Sequence, residues 1–325
     1  MLLIRALLKT EGPLSIAMPI ADGSRENAYG QFPMMTRGID EDGKKLETGF
    51  LPATTLRGFL RRAAVMPDME AAAEAGQHYR LPKAYAELIG QDADSEKAAG
   101  DIDLIALREA RDNSPVLDLF GSGLGIKSRL LVSHFLPPVN VLPEVLTGVR
   151  KDLDDNEQAF ELIAEEDKEL FLNRSQSNTH RANAAKLAQT IKRKLNAAKR
   201  NGEDTADLEK EMKAVDALVE KYQKEMGEMQ NSSRTIVQHH ALPAGLELTG
   251  KLVIQNPKDR DIELLMRGLD ALSRFPVLGA QSARGCGEVS GTFDFYKDSV
   301  LFRRVVVGDY SEAKITEFND SDAAA

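Results

Sequence analysis

Between residues 180 and 230 the apolar side chains recur every three or four positions. Leu208, Met212, Val215, Val219, Tyr222, Met226 and Met229 form one such stripe, and Ala184, Leu187, Ile191, Leu195 and Ala198 form another. This repeat keeps the marked side chains on one face of an α-helix. Asn201-Gly202 separates the stripes and reads as a turn. Two helices with one apolar face each, joined by a turn, close on one another or on a neighbour, so a helical hairpin is predicted. The first helix carries Arg181, Lys186, Lys192, Arg193, Lys194, Lys199 and Arg200, and the second is more acidic. The hairpin belongs to a charged segment, 151–230, that differs in composition from what surrounds it.

The flanking segments read as strands and amphipathic helices. Leu2–Leu8 is a short apolar strand that ends at Glu11-Gly12-Pro13. Asp22–Glu47 reads as a long surface loop with a hairpin around Asp42-Gly43. The segment Leu51-Pro52-Ala53-Thr54-Thr55-Leu56-Arg57-Gly58-Phe59-Leu60-Arg61 starts a helix after a strand end and a proline, with Thr54 or Thr55 as cap. Leu56, Phe59, Leu60 and Ala63 would share its buried face. Ala71–Arg111 is helical in pieces, Leu117–Gly123 is an apolar glycine-rich turn, and Lys127–Leu136 is a strand ended by Pro137-Pro138. Leu246–Gln255 alternates as a strand, Asp261–Arg274 is a helix, and Val289–Phe295 is a strand after a glycine-rich loop. This order predicts an α+β fold, a split βαβ or ferredoxin-like sheet with helices on one face. The expected domains are a discontinuous one over 1–150 and 231–308, an inserted hairpin over 151–230, and an acidic tail over 309–325 holding Asp309, Glu312, Glu317, Asp320 and Asp322.

Composition narrows the function classes. The chain has 325 residues, 42% of them apolar, which supports a substantial core. No apolar run reaches the roughly 18 residues of a membrane span, so no membrane partner is expected. The start lacks the order of a signal peptide, so a cytoplasmic protein is expected. The single cysteine, Cys286, excludes a disulfide framework and a multi-cysteine metal site. His239-His240 diverge in a regular element, and His78, His134 and His180 stand alone, so no metal and no cofactor is expected. The net charge of −9 argues against indiscriminate coating of nucleic acid.

Two segments can still bind an anion. Arg57 and Arg61 lie four apart at a helix start, where backbone N–H groups are unpaired. In Leu278-Gly279-Ala280-Gln281-Ser282-Ala283-Arg284-Gly285-Cys286-Gly287 the glycines permit close backbone approach, so N–H groups could converge on one anion. The loop follows a helix and precedes a strand, the reverse of dinucleotide and Walker loops. No nucleophile elbow or triad is present. Asp22, Asp40 and Asp42 are the acids a catalytic loop could use.

Leu51-Pro52-Ala53-Thr54-Thr55-Leu56-Arg57-Gly58, Leu119-Phe120-Gly121 and the glycine-rich loop at 278–287 together resemble the RAMP superfamily of CRISPR-associated proteins. More narrowly they resemble the backbone subunit that polymerises along the guide RNA in effector complexes. Ser128-Arg129-Leu130, Leu146-Thr147-Gly148-Val149-Arg150 and Leu242-Pro243-Ala244-Gly245 also look like family segments. The resemblance implies an RRM-like palm with the hairpin as an inserted thumb or finger, and the hairpin points to type IV.

It further implies that Arg57, Arg61, Lys127, Arg129, Arg150 and Arg284 meet RNA phosphates, with Gln281 and Ser282 adding polar contacts and Gly58, Gly279, Gly285 and Gly287 shaping the loops. Arg174, Arg181 and the Lys192-Arg193-Lys194 cluster on the insertion stand second to that set. The implied partners are guide RNA, target nucleic acid paired to the guide, further copies of the chain in a filament, and other effector subunits. Stacking aromatics are not evident, so backbone binding is expected over base readout. Some type III relatives cut target RNA with an early-loop aspartate; Asn27-Ala28-Tyr29-Gly30 holds none, with Asp22 earlier and Asp40 later, so a non-catalytic subunit is expected. The alternatives are a RAMP-family endoribonuclease and a hairpin interaction scaffold without nucleic acid.

Overall fold

The computed structural model describes residues 1–16, 32–91, 104–123, 125–149, 157–201, 204–226 and 236–318. The chain runs β1 (Leu2–Thr10), β2 (Leu14–Ser15), β3 (Met34–Ile39), β4 (Lys45–Gly49), α1 (Ala53–Glu74), α2 (Leu81–Ala84) with a π turn over Tyr85–Ile89, α3 (Leu104–Asn113), α4 (Pro115–Phe120), β5 (Leu130–Val132) and β6 (Glu144–Val149). It continues through α5 (Glu157–Glu161), α6 (Glu165–Asn201), α7 (Ala206–Met226), β7 (Ile236–Leu242), β8 (Glu247–Ile254), α8 (Asp259–Arg274), a 3-10 turn (Ser282–Arg284), β9 (Val289–Lys297), β10 (Val300–Val307) and β11 (Lys314–Glu317). Two units result, one of Met1–Leu146 with Gln238–Ala325, the other of Thr147–Val237.

The first unit is built on a six-stranded sheet in the order β11-β10-β9-β1-β8-β5. Its pairings are antiparallel. The segment β9-β1-β8-β5, with α1 after β1 and α8 between β8 and β9, has the strand order of a ferredoxin-like fold. Strict alternation makes β1 two-faced: Leu2, Ile4, Ala6 and Leu8 are buried, while Arg5 and Lys9 are exposed. Leu8 lies opposite Leu248 on one side and Gly291 on the other. Behind the sheet, Leu56 and Leu60 of α1, Leu119 and Phe120 of α4, and Leu265 and Leu269 of α8 join Ile4, Leu252, Phe293 and Phe295 in one core. Each such side chain contributes about 1.5–3 kcal/mol on full burial. Gly268 lets α8 close on α1, since a Cβ there would stand 2.9 Å from a Leu60 methyl and 3.2 Å from its carbonyl oxygen.

Several expectations change. α1 starts at Ala53 with Pro52 as N-cap and no side-chain cap, so neither threonine caps it. The Ala53 N–H donates instead to His134 Nδ1 at 3.1 Å. The predicted turn at Leu117–Gly123 begins as helix α4, capped by Ser114 Oγ and ended at Gly121. Gly121 has φ of +72°, and a Cβ there would overlap the Ile126 carbonyl. The predicted strand over Lys127–Leu136 shortens to β5. The hairpin around Asp42-Gly43 is present as β3–β4, with Asp40 Oδ1 accepting from the Asp42 and Lys44 N–H groups at 3.1 and 2.7 Å. The acidic stretch after 308 is not simply a tail. Residues 314–317 form β11, Glu317 pairs with Arg303 at 2.7 Å, Glu312 with Arg274 at 2.7 Å, and Asp309 with Lys314. A separate sheet has the order β2-β7-β6, with Leu14 opposite Leu242.

In the second unit α6 and α7 pack through Ala184, Ile191 and Val215, with Ala188, Met212 and Val219 against them. Leu187 is exposed, and Ala188 takes the place predicted for it. Lys199 pairs with Glu209 at 3.0 Å, and the His180 ring stacks on Tyr222 at 5.3 Å. Gly202 and Met229 lie outside the described residues. Among the described residues no helix is long and apolar enough to cross a membrane.

Candidate nucleic-acid interface

The opening helix, the Leu119-Phe120-Gly121 motif and Ser128-Arg129 come together. Arg57 Nη2 donates to the Phe120 carbonyl, Ser128 Oγ to the Leu119 carbonyl at 3.1 Å, and the Arg129 N–H to that same carbonyl at 3.0 Å. Burial lowers the pKa of Arg57. Arg61 is 5% exposed and donates through Nε and Nη2 to the carbonyls of Glu87 and Ala86, each at 2.6 Å. Burial, with repulsion from Arg57 and against the attraction of Glu87, brings its pKa down to about 10. Gly90 abuts this guanidinium so closely that a Cβ would overlap Nη1. The prediction of a phosphate contact at Arg61 is therefore corrected: the side chain ties α1 to the π turn.

Arg129 is corrected in the same way. It is 9% exposed, and all its donors are committed. Nε and Nη2 bind Asp118 at 3.2 and 2.8 Å, Nη2 and Nη1 bind Asp261 at 2.6 and 2.8 Å, and Nη1 also reaches the Asn256 carbonyl at 2.9 Å. A guanidinium fork held by two buried carboxylates cannot also grip a phosphate. Asp118 collects three more cations: Arg111 at 3.1 Å, Lys258 at 2.7 Å and Arg260 at 2.7 Å. Burial pushes the Asp118 carboxyl up, but the bonds from Lys258, Arg260, Arg129 and Arg111 outweigh it and hold the carboxyl well below the ordinary range. These three outer cations had no motif to mark them, and only the fold assembles them.

The glycine-rich loop is not a nest of free N–H groups. The N–H of Ala280 donates to Ser15 at 2.7 Å and that of Gly287 to Pro13 at 2.8 Å. Those of Arg284, Gly285 and Cys286 turn back onto Gln281 and Ser282 at 2.9–3.3 Å. Gly279 and Gly287 have φ of +89° and +95°, and a Cβ at either would overlap the carbonyl of Ser15 or Leu278. Gly285, at φ +76°, has open space around it, and Gly58 would meet only the flexible end of Arg62. The loop thus presents side chains. Arg284 and Ser282 are exposed, and Gln281, itself at φ +60°, accepts from Arg284 Nη1 at 2.8 Å and so orients it. Beneath them Cys286 Sγ lies 3.5 Å from His239 Nε2. Burial raises the thiol pKa against the opposing pull of Arg284, which suits packing rather than nucleophilic work.

Lys127 is exposed. Arg174 and Arg181 fall on α6, and Arg181 is partly buried. Arg150, Asp22 and Asn27-Ala28-Tyr29-Gly30 lie outside the described residues. On the sheet face opposite the core, Arg5 sits over the Tyr296 ring at 5.0 Å, so the aromatic on that face is already covered by a cation. Thr249, Lys251, Thr292 and Asp294 flank it around a cavity of about 560 Å3. No cluster of metal-ligating side chains occurs among the described residues.

No curated protein matches the chain. A chain of a type IV-B CRISPR complex is similar in structure, with a TM-score of 0.44 and 14% identity over 92% of each chain. The model of the RAMP superfamily matches residues 33–290, from the β3–β4 hairpin through the glycine-rich loop into β9. On that match, which takes in the opening-helix motif, the Leu119-Phe120-Gly121 helix end and the 278–287 loop, the chain belongs to the RAMP superfamily.

Proposed function

We propose that the chain is a non-catalytic backbone subunit of a CRISPR effector complex of type IV, holding guide RNA through its phosphates and assembling with further copies along it. The type IV assignment rests on the helical hairpin read from the sequence. The observation that carries the RNA reading is Arg284, exposed on a loop whose backbone is fixed at Pro13 and Ser15 and whose head group is oriented by Gln281. A cation presented on a rigid turn contacts phosphate without the ordering cost a free arginine would bear. The overall charge of −9 confines such binding to local basic ground and disfavours nonspecific coating.

The test is to express the full chain with its partner subunits and a CRISPR array, purify it at low salt and sequence the RNA recovered. RNA of uniform, guide-derived length supports the reading, and Arg284→Ala is expected to lower its recovery several-fold while leaving the melting temperature unchanged. Protein free of RNA under these conditions overturns it.

A further inference from the structure

The cluster around Asp118 opens into a cavity of about 470 Å3, lined by Leu107, Arg108, Arg111, Asp112, Gly125, Ile126 and Lys258 beside Asp118 itself. Four cations, Arg111, Arg129, Lys258 and Arg260, face two carboxylates, Asp118 and Asp261. Both Asp118 oxygens are saturated: Oδ1 takes bonds from Arg111 and Arg129, and Oδ2 from Arg129, Lys258 and Arg260. Arg129 is spent internally. The side chains of Arg111, Lys258 and Arg260 are 38%, 49% and 35% exposed, and Asp118 is too small an anion to use all their donors. Arg260 Nε is buried with no hydrogen-bond partner among the described residues. Arg108, in the lining, lies 4.0 Å from Asp112, and Lys127 is exposed next to Ile126 in sequence. A half-buried excess of positive charge is unfavourable until an anion joins it.

We propose that this cavity seats a backbone phosphate of single-stranded RNA, with Lys258 and Arg111 as direct donors, Arg108 and Lys127 steering the strand at the rim, and Arg129 and Asp118 positioning the donors from behind. The assignment rests on the reading of the chain as a guide-RNA-binding subunit and names a second seat for the guide on it. RNA fits better than a lone anion because Arg108, Arg111 and Lys258 line the cavity together with the apolar side chains of Leu107 and Ile126.

The test uses the full chain, freed of RNA by high salt and nuclease, and a fluorescein-labelled 30-nucleotide single-stranded RNA of mixed sequence. Anisotropy is read from 50 to 300 mM salt for wild type, Lys258→Gln, Arg108→Glu and the control Lys45→Gln. Arg108→Glu leaves every bond to Asp118 in place, so it decides the matter if Lys258→Gln does not melt cooperatively. Each cavity variant is expected to bind about tenfold more weakly at low salt and to lose about one from the salt slope, one released contact each, while the control matches wild type. Wild type that binds RNA, with Arg108→Glu unchanged in affinity and slope, overturns the cavity assignment alone. If Arg108→Glu then also loses association with other subunits, the cavity serves an acidic protein surface instead. Wild type that binds no RNA at 50 mM salt overturns the backbone-subunit reading and this assignment with it.

Discussion

Arginine identity in the sequence says little about arginine use. In the sequence Arg57, Arg61 and Arg129 look like Arg284, since each is a cation in a motif near a turn. Only Arg284 stands exposed, because its loop lies on the surface while the other three sit where α1, α4 and β5 converge on the core. No sequence pattern distinguishes the two situations, because the carboxylates that consume Arg129 lie 11 and 132 residues away. Removing Arg129 should therefore cost stability. Arg129→Met leaves Asp261, 0% exposed, without its guanidinium, and a loss of about 3–5 kcal/mol is expected from urea denaturation at pH 7. The acid side follows from Asp118. Its carboxyl is depressed in the folded chain, so its contribution is fully present above the ordinary carboxylate value and is lost as pH falls toward the folded one. The melting temperature of wild type should drop as pH goes below about 4. Asp118→Asn, which has no carboxylate to protonate, should melt lower at neutral pH and show a flatter acid limb.

At the scale of elements, period and punctuation carried most of the fold. The alternation of β1 and β8, the apolar face of α8 and the two stripes of the hairpin were legible because each encodes burial locally. Capping was not, since the first N–H of α1 is satisfied by His134, 81 residues away. β10 and β11 carry no clean alternation: β10 falls within the expected domain with mixed exposure, and β11, exposed throughout, falls in the stretch that reads as an acidic tail. The glycine-rich loop is legible in the sequence, but the task of its glycines is not. They permit backbone to pass close to Ser15 and Leu278 and do not aim N–H groups at a ligand. Alanine scanning separates the two roles. Gly285→Ala should cost about 1–2 kcal/mol for its left-handed conformation alone. Gly287→Ala should cost clearly more, because the Leu278 carbonyl occupies the space. Equal midpoints in guanidinium for the two variants would refute this packing account.

For the whole molecule, the palm core, among the described residues, is drawn from residues 2–141 and 242–313. β6 and β7, which lead into and out of the insertion, are neighbours in one sheet. Joining residue 150 to 231 with a short Gly-Ser linker should therefore leave a palm that melts cooperatively, as followed by circular dichroism and calorimetry. Loss of the transition would make the hairpin part of the palm's stability. The same connectivity bears on how the chain is made. β1 lies between β8 and β9, which follow it by some 240 and some 280 positions. At roughly 5–20 residues per second, the central strand waits about 12–56 s on the ribosome for its partners. The hairpin, with its contacts local, can close as soon as it emerges. An apolar strand left unpaired that long is the segment a chaperone would find exposed, so the position of β1 makes the synthesis of β8 and β9 the step that commits the palm.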